Sequence, residues 1–135
     1  MVAQAGKDLL LKVESGGSWT AVAGLRSKRL AFNAETVDVT DAESAGRWRE
    51  LLGGAGVQRA SISGAGLFKD QASDQLVRSA FFAGTILTWQ VLIPAFGTVS
   101  GAFQITALEY SGDYNGEVRF EIALESAGVL TFGAL

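Results

Sequence analysis

The chain has 135 residues, of which 48% are hydrophobic and 19% charged, and a net charge of −3; this is the composition of one globular domain rather than of a disordered segment. It contains neither cysteine nor histidine, which excludes disulfides and thiolate chemistry and withdraws the commonest general base and metal ligand. No apolar run approaches the roughly 18 residues of a membrane span, and Lys7, Asp8 and Lys12 interrupt the apolar stretch that a secretion signal needs.

Period-2 alternation, the mark of half-buried strands, recurs from the N-terminus onward. In "DLLLKV" Leu9, Leu11 and Val13 share one face, and "SGG" at Ser15 to Gly17 is a turn into a second extended segment, "SWTAVAGL", with Trp19, Ala21 and Ala23 on one side. "KRLAFN" then points Leu30 and Phe32 inward, whereas "ETVDVT" points Val37 and Val39 inward. That change of parity requires a bulge or a turn near Ala34.

"DAESAGRWRELLGGAG" follows as a loop of small and charged residues, with one helical turn expected from Arg47 to Leu52, closed by Gly53. "ASISGAGLF" is a strand around Ile62, with Ser61 and Ser63 on its outward face and Gly64 and Gly66 marking a bend or bulge. The spacing of Leu76, Val77, Ala80 and Phe81 predicts a helix over "SDQLVRSAFFAG", capped by Ser73 or Asp70 and ended by Gly84.

"TILTWQVLIP" is a strand stopped by Pro94, the only proline. "GAFQITALEY" and "GEVRFEIALE" form a hairpin around the turn-forming "SGDYNG", and "GVLTF" is a last extended segment. In the second of these strands Val118, Phe120, Ile122 and Leu124 share the core face, opposite Glu117, Arg119, Glu121, Ala123 and Glu125. On its partner, Phe103, Ile105 and Ala107 face the core, with Gln104, Thr106 and Leu108 opposite. Seven to nine strands with one helix make a mainly β fold, either a β-sandwich or an incomplete barrel, with the helix against an open end or edge.

Residues suited to chemistry are sparse. Asp38 with Asp41 could serve glycoside hydrolysis only if both flanked a sugar, and beside Thr40 and Ser44 they fit solvated turn charges better. "GGAGVQ" lacks the Lys and Ser or Thr of a phosphate-binding loop. The charge is uneven: residues 1–59 hold eight Lys or Arg against seven Asp or Glu, residues 60–135 three against seven. The acidic second half would repel a phosphate backbone. The wet face of the last hairpin is thus either an ordinary solvated surface or a polar, acidic wall.

The strings "ETVDVT", "GRWRELL", "SISG", "AFFAGT" and "ALESAG" together, within a match that spans essentially the whole chain, make the sequence resemble the major tail proteins of long-tailed, non-contractile bacteriophages. Within that family it is most similar to the tail-tube proteins of alphaproteobacterial gene transfer agents. The resemblance implies a structural protein, without enzymatic activity or cofactor. It implies a single β-sandwich domain over residues 1–135 with a flanking helix, forming homo-hexameric rings stacked into a tube, with other tail proteins at the tube ends. It further implies assembly in the bacterial cytoplasm, a place in the tail of a virion or phage-like particle, and DNA passing through the lumen without specific binding; membrane insertion is not expected. Residues 33–56 become an extended inter-subunit loop. Its contacts are expected at Thr40, Asp41, Glu43, Arg47, Trp48, Arg49, Glu50 and Leu51, with Arg29 added from the preceding strand. Sheets joined into an inner barrel put Gln104, Thr106, Glu117, Arg119 and Glu121 on the lumen. A small-ligand or carbohydrate-binding β-barrel is the alternative, and it would require an apolar interior cavity.

Overall fold

A computed structural model describes residues 9–69 and 71–134. In chain order the elements are β1 (Leu10–Ser15), β2 (Ser18–Ala21), β3 (Leu25–Ala34), β4 (Val37–Asp38), a 3-10 turn (Ala45–Arg47), β5 (Leu51–Leu52), β6 (Gln58–Leu67), α1 (Ala72–Ala83), β7 (Leu87–Ile93), β8 (Gly97–Ser111) and β9 (Arg119–Ala134). Seven strands make one antiparallel sheet in the order β2-β1-β7-β8-β9-β6-β3, and β4 pairs with β5 apart from it. The fold is mainly β with a single helix among the described residues, as the sequence pattern requires.

Two layers arise from this one sheet because β8 and β9 bend midway. Gly97 to Gly101 pairs with Leu130 to Ala134, and Phe103 to Ser111 pairs with Arg119 to Ser126. Between them Ala102 on β8 faces Ala127, Gly128 and Val129 on β9. Such an excess of residues on one strand breaks the ladder and turns a sandwich corner. The first halves of the pairing continue into β7, β1 and β2, the second into β6 and β3. The layers face one another: Leu9 to Leu11 and Lys28 to Leu30, from opposite ends of the strand order, line one narrow crevice with Ile62 and Val91.

Leu11, Val13, Trp89 and Val91 from one layer meet Ile62, Ile105, Ile122 and Leu124 from the other, with Phe103 and Phe120 between them. Burial of each such side chain contributes roughly 1.5–3 kcal/mol. α1 adds Val77 and Ala80 to this core and leaves Phe82 exposed. Its start differs from the expected caps. The Asp74 carboxylate accepts from the Gln71 amide at 2.9 Å, closing the first turn, while Asp70 lies outside the described residues. Ser73 is buried and its hydroxyl accepts from the Ala23 amide at 3.1 Å, fastening the helix to the segment between β2 and β3. Gly84 ends the helix in the left-handed conformation, as predicted. Nearby, Gly66 sits so close to the Gly24 carbonyl that an added Cβ would collide with its oxygen, so no larger residue fits this crossing.

Several expectations need correction. A bulge at Thr106 lets Ala107 pair with Ala123 and Leu108 with Ile122. Leu108 therefore packs against the core and Ala107 joins the opposite face, the reverse of uninterrupted alternation. Val118 and Glu117 precede β9 rather than beginning it, and "GVLTF" continues the same strand. Phe32, Val37 and Val39 are exposed rather than inward, and Trp19 is too. They lie where the chain leaves the sheet or on short outer strands with no opposing layer.

Candidate functional site: a protruding arm and a polar sheet face

Residues 33–56 form an arm that prolongs the β3–β6 hairpin beyond the sheet. The Glu35 amide donates to the Val57 carbonyl, Val37 pairs with Leu52 and Asp38 with Leu51, and the Val39 amide donates to the Glu50 carbonyl. Between the two stretches of pairing the returning strand carries the extra residues of "GGAG". Gly56 crosses so close to Glu35 that any side chain there would collide with its backbone. The tip is not the expected helical turn from Arg47 to Leu52. Gly46 and Arg47 both have left-handed φ, at 61° and 62°, which limits the helix to the short turn Ala45–Arg47 and lets Leu51 and Leu52 return as strand.

Polar contacts hold the arm together. The Ser44 hydroxyl accepts from the Asp41 amide at 3.0 Å, the Asp41 carboxylate from the Glu43 amide at 2.8 Å, and the Thr40 hydroxyl from the Glu50 amide at 2.6 Å. Arg49 pairs with Asp38 at 3.5 Å and donates to the Thr36 hydroxyl at 3.3 Å. It is thus engaged within its own arm, whereas Arg47 has no ion-pair partner among the described residues. Trp48 is 78% exposed, its ring edge against the Gly46 backbone, so it covers none of its own subunit's core. Leu51 and Leu52 are exposed as well. The arm thus concentrates exposed apolar side chains on a thin projection.

The Thr40 hydroxyl and then its amide, helped by the Arg49 charge, hold the Asp38 carboxyl below its ordinary value of 3.8. A lowered folded-state value stabilises the arm above the ordinary Asp range, and that contribution is lost as pH falls through the lowered value. The Thr40 amide resonance should therefore titrate with a midpoint below 3.8, and Asp38→Asn should remove the transition. A midpoint at or above the ordinary value would show the arm contacts to be absent in solution.

The second surface is the outward face of β3, β6, β9 and the second half of β8. Strand register aligns Ser27, Ala65, Glu121 and Glu109 in one row, and Arg29, Ser63, Ala123 and Ala107 in the next. A third row holds Ala31, Ser61, Glu125 and Gln104. The middle of this face is an open groove of about 480 Å³. Of the residues expected on a lumen, Gln104, Arg119 and Glu121 share the face, and Thr106 is exposed at the bulge with its hydroxyl donating to the Ala123 carbonyl at 3.3 Å. Glu117 lies in the loop before β9 and is not on it. Arg29, expected with the arm contacts, instead belongs to this groove. Glu109 adds a second acid to the groove and escaped the sequence reading, whereas Glu125 was expected on this face; Glu109 could be found only by placing the Thr106 bulge, because two like charges set directly opposite each other are otherwise disfavoured.

Among the described residues no group of carboxylates is placed to hold a metal, and no helix is long and apolar enough to cross a membrane. The core is filled by Trp89, Phe103, Leu124 and Val13, so the apolar hollow required by a ligand-binding barrel is not formed there. The described residues thus form a packed sandwich with an exposed apolar arm and an uncovered polar sheet face, an architecture without a catalytic cleft among them. The chain belongs to the phage tail tube protein family, whose model matches residues 3–132. It is 56% identical to a chain of the tail of an empty gene transfer agent particle refined with C6 symmetry, over 98% of this chain and 100% of that one, with a TM-score of 0.95. A chain of the virion of the native gene transfer agent particle is likewise 56% identical, with the same coverage and a TM-score of 0.93. The SPP1 tail tube, at 16% identity over 97% of this chain and 79% of that one, shares the fold with a TM-score of 0.77. No curated protein in the comparison matches the chain. Membership of this family makes the protein a structural component and not an enzyme.

Proposed function

We propose that this chain is the repeating subunit of a phage-like tail tube, closing into rings of six that stack into a hollow conduit for DNA. The observation that carries the reading is the match, over nearly the whole chain, to a subunit of a C6-symmetric gene transfer agent tail. The strand arrangement supports it. In the layer made of β3, β6, β9 and the second half of β8 both lateral edges are unpaired: β3 ends the strand order, and Gln104 to Ser111 of β8 pairs only with β9 because β7 stops opposite Phe103. Exposed edges of this length invite pairing with another chain. With β3 of one copy set beside β8 of the next, four strands from each copy close into a barrel without edges.

The core lies behind these strands, so the face that each subunit's sheet turns away from its core becomes the inner wall of the closed barrel and lines the lumen. Its small side chains and its mixed charges, the acids Glu109, Glu121 and Glu125 against the bases Arg29 and Arg119, suit a channel along which DNA slides without adhering, since a face with a slight excess of acids offers phosphates no net attraction. The arm then serves contacts between copies, with Thr40, Asp41, Glu43, Arg47, Trp48, Glu50 and Leu51 as its contact residues and Arg49 as an internal brace. Other tail proteins close the tube ends, and assembly takes place in the bacterial cytoplasm.

Electron microscopy of the purified protein at rising concentration tests the reading. Rings and tubes with sixfold symmetry are expected, and a protein that stays monomeric throughout would overturn it. Deleting Thr40 to Gly46 should leave a folded subunit that forms no tubes of normal length. Normal tubes from the deletion would remove the arm from the assembly mechanism.

A further inference from the structure

The two free strand edges of the layer that carries the groove have opposite charge. Between Leu25 and Ala34, β3 holds Arg26, Lys28 and Arg29 and no acid. From Gln104 to Ser111, the part of β8 that pairs with β9 alone, the one charged residue is Glu109. Arg29 and Glu109 point to the same face, since both line the open groove. They do not meet within one subunit: β6 and β9 lie between them, and three strand spacings of about 4.8 Å set them roughly 14 Å apart. Neither has an ion-pair partner among the described residues. Glu109 in addition stands directly opposite Glu121, a like-charge arrangement that costs stability in the isolated subunit. The subunit thus leaves an unpaired base on one edge and a surplus acid on the other.

We propose that Arg29 of one copy pairs with Glu109 of the next, and that this charge match selects which edges join. It rests on the reading of the chain as a ring-forming tube subunit and goes beyond it by naming what makes β3 choose β8. Each strand from β3 through β6 and β9 to β8 runs antiparallel to its neighbour. β8 therefore runs opposite to β3 of its own subunit and, in a ring, to β3 of the next. The seam continues the antiparallel ladder at one strand spacing, and Arg29 reaches the Glu109 carboxylate directly across or on the diagonal. There the guanidinium also offsets the repulsion between Glu109 and Glu121. Wrong seams are penalised by the same residues: two β3 edges set bases against bases, and two β8 edges set Glu109 against Glu109 with Glu121 behind each. Either like-with-like contact is isologous and stops at a dimer, whereas β3 against β8 is head-to-tail and closes as a ring.

Charge reversal tests the pair. Arg29→Glu and Glu109→Arg, each alone, should raise the concentration at which tubes form by about tenfold or more at low salt. Both side chains are exposed, so the melting temperature of the isolated subunit should not fall. The two reversals together should bring tube formation back to within about threefold of the unsubstituted protein. Single reversals that assemble normally would overturn the proposal, as would a double variant no better than the worse single. Arg26→Glu combined with Glu109→Arg should rescue nothing, and rescue by that combination would take the pairing away from Arg29. Should a reversal fail to fold, Ala31→Cys with Ala107→Cys keeps both charges, and the chain has no cysteine of its own. A short thiol-to-thiol crosslinker applied to those tubes should give a denaturing-gel ladder that ends at six copies; tubes that give no ladder would overturn the proposal. If the unsubstituted chain forms no tubes at all, the underlying reading fails and this proposal with it; tubes indifferent to the reversals remove only the seam pair.

Discussion

Trp48→Ala is expected to abolish tube formation at concentrations where the unsubstituted protein assembles, while leaving the thermal stability of the isolated subunit unchanged. The side chain is 78% exposed and rests on nothing but its own arm. Truncating it in the monomer is therefore a surface change, worth within about 0.5 kcal/mol, whereas truncating a buried tryptophan would cost about 3–5 kcal/mol. An aromatic anchor that becomes buried in an interface contributes about 2 kcal/mol or more, equivalent to roughly a thirtyfold weaker contact. The loss recurs at every subunit of every ring. Arg49→Ala should do much less, because its guanidinium already pairs with Asp38 in an exposed setting where such a bridge is worth less than about 1 kcal/mol. Thermal unfolding and light scattering on the same samples separate the alternatives. A large drop in melting temperature for Trp48→Ala with assembly preserved would return the residue to its own subunit's fold.

Glu121→Lys is expected to leave folding and assembly intact and to lower DNA delivery. Glu121 stands opposite Glu109 in the β8–β9 register and beside Ala65 on β6. Lysine there replaces a like-charge pair with an opposite-charge pair across the strands, a change favourable to the sheet by a fraction of a kcal/mol. The effect on transit has the other sign. DNA crossing stacked rings meets the substituted residue on every subunit, and a small attraction per ring accumulates along the tube. Higher salt should restore part of the delivery, because screening shortens the interaction to about a Debye length. Delivery unchanged in tubes verified to carry the substitution would remove Glu121 from the lumen, and loss of assembly would make it a subunit contact.

Much of this architecture could be read from residue order. The alternation of Phe120, Ile122 and Leu124 against Arg119, Glu121 and Glu125 requires a strand with one wet face, and the buried and exposed residues of β9 follow it. Leu76, Val77, Ala80 and Phe81 at helical spacing, with Gly84 behind them, specify α1. Pro94 stops β7 where expected. These are local constraints: the period of the backbone and the left-handed freedom of glycine act within a few residues, so the sequence expresses them directly. The same holds for the exclusion of thiol and imidazole chemistry, which needs only a count.

The surfaces that matter for assembly depend on pairings between residues far apart in the chain. One extra residue at Thr106 exchanges the faces of Ala107 and Leu108, and no composition rule announces it, because the bulge exists only relative to the ladder on β9. Arg29 looked like a companion of the arm from its position in sequence, yet register with Ser63 and Ala123 assigns it to the polar groove. Glu109 and Glu121 are twelve residues apart and become neighbours only through the β8–β9 hairpin. The arm, too, was legible as an unusual mixture of Trp48, Leu51, Leu52 and charges, and β4 as an extended segment, but the return of the chain as β5 was not: left-handed Gly46 and Arg47 override the helical pattern of the tip. Local periodicity decides which residues share a face of one strand; which strands lie beside each other, and so which side chains make a common surface, is decided by the packing of the whole sheet against its core.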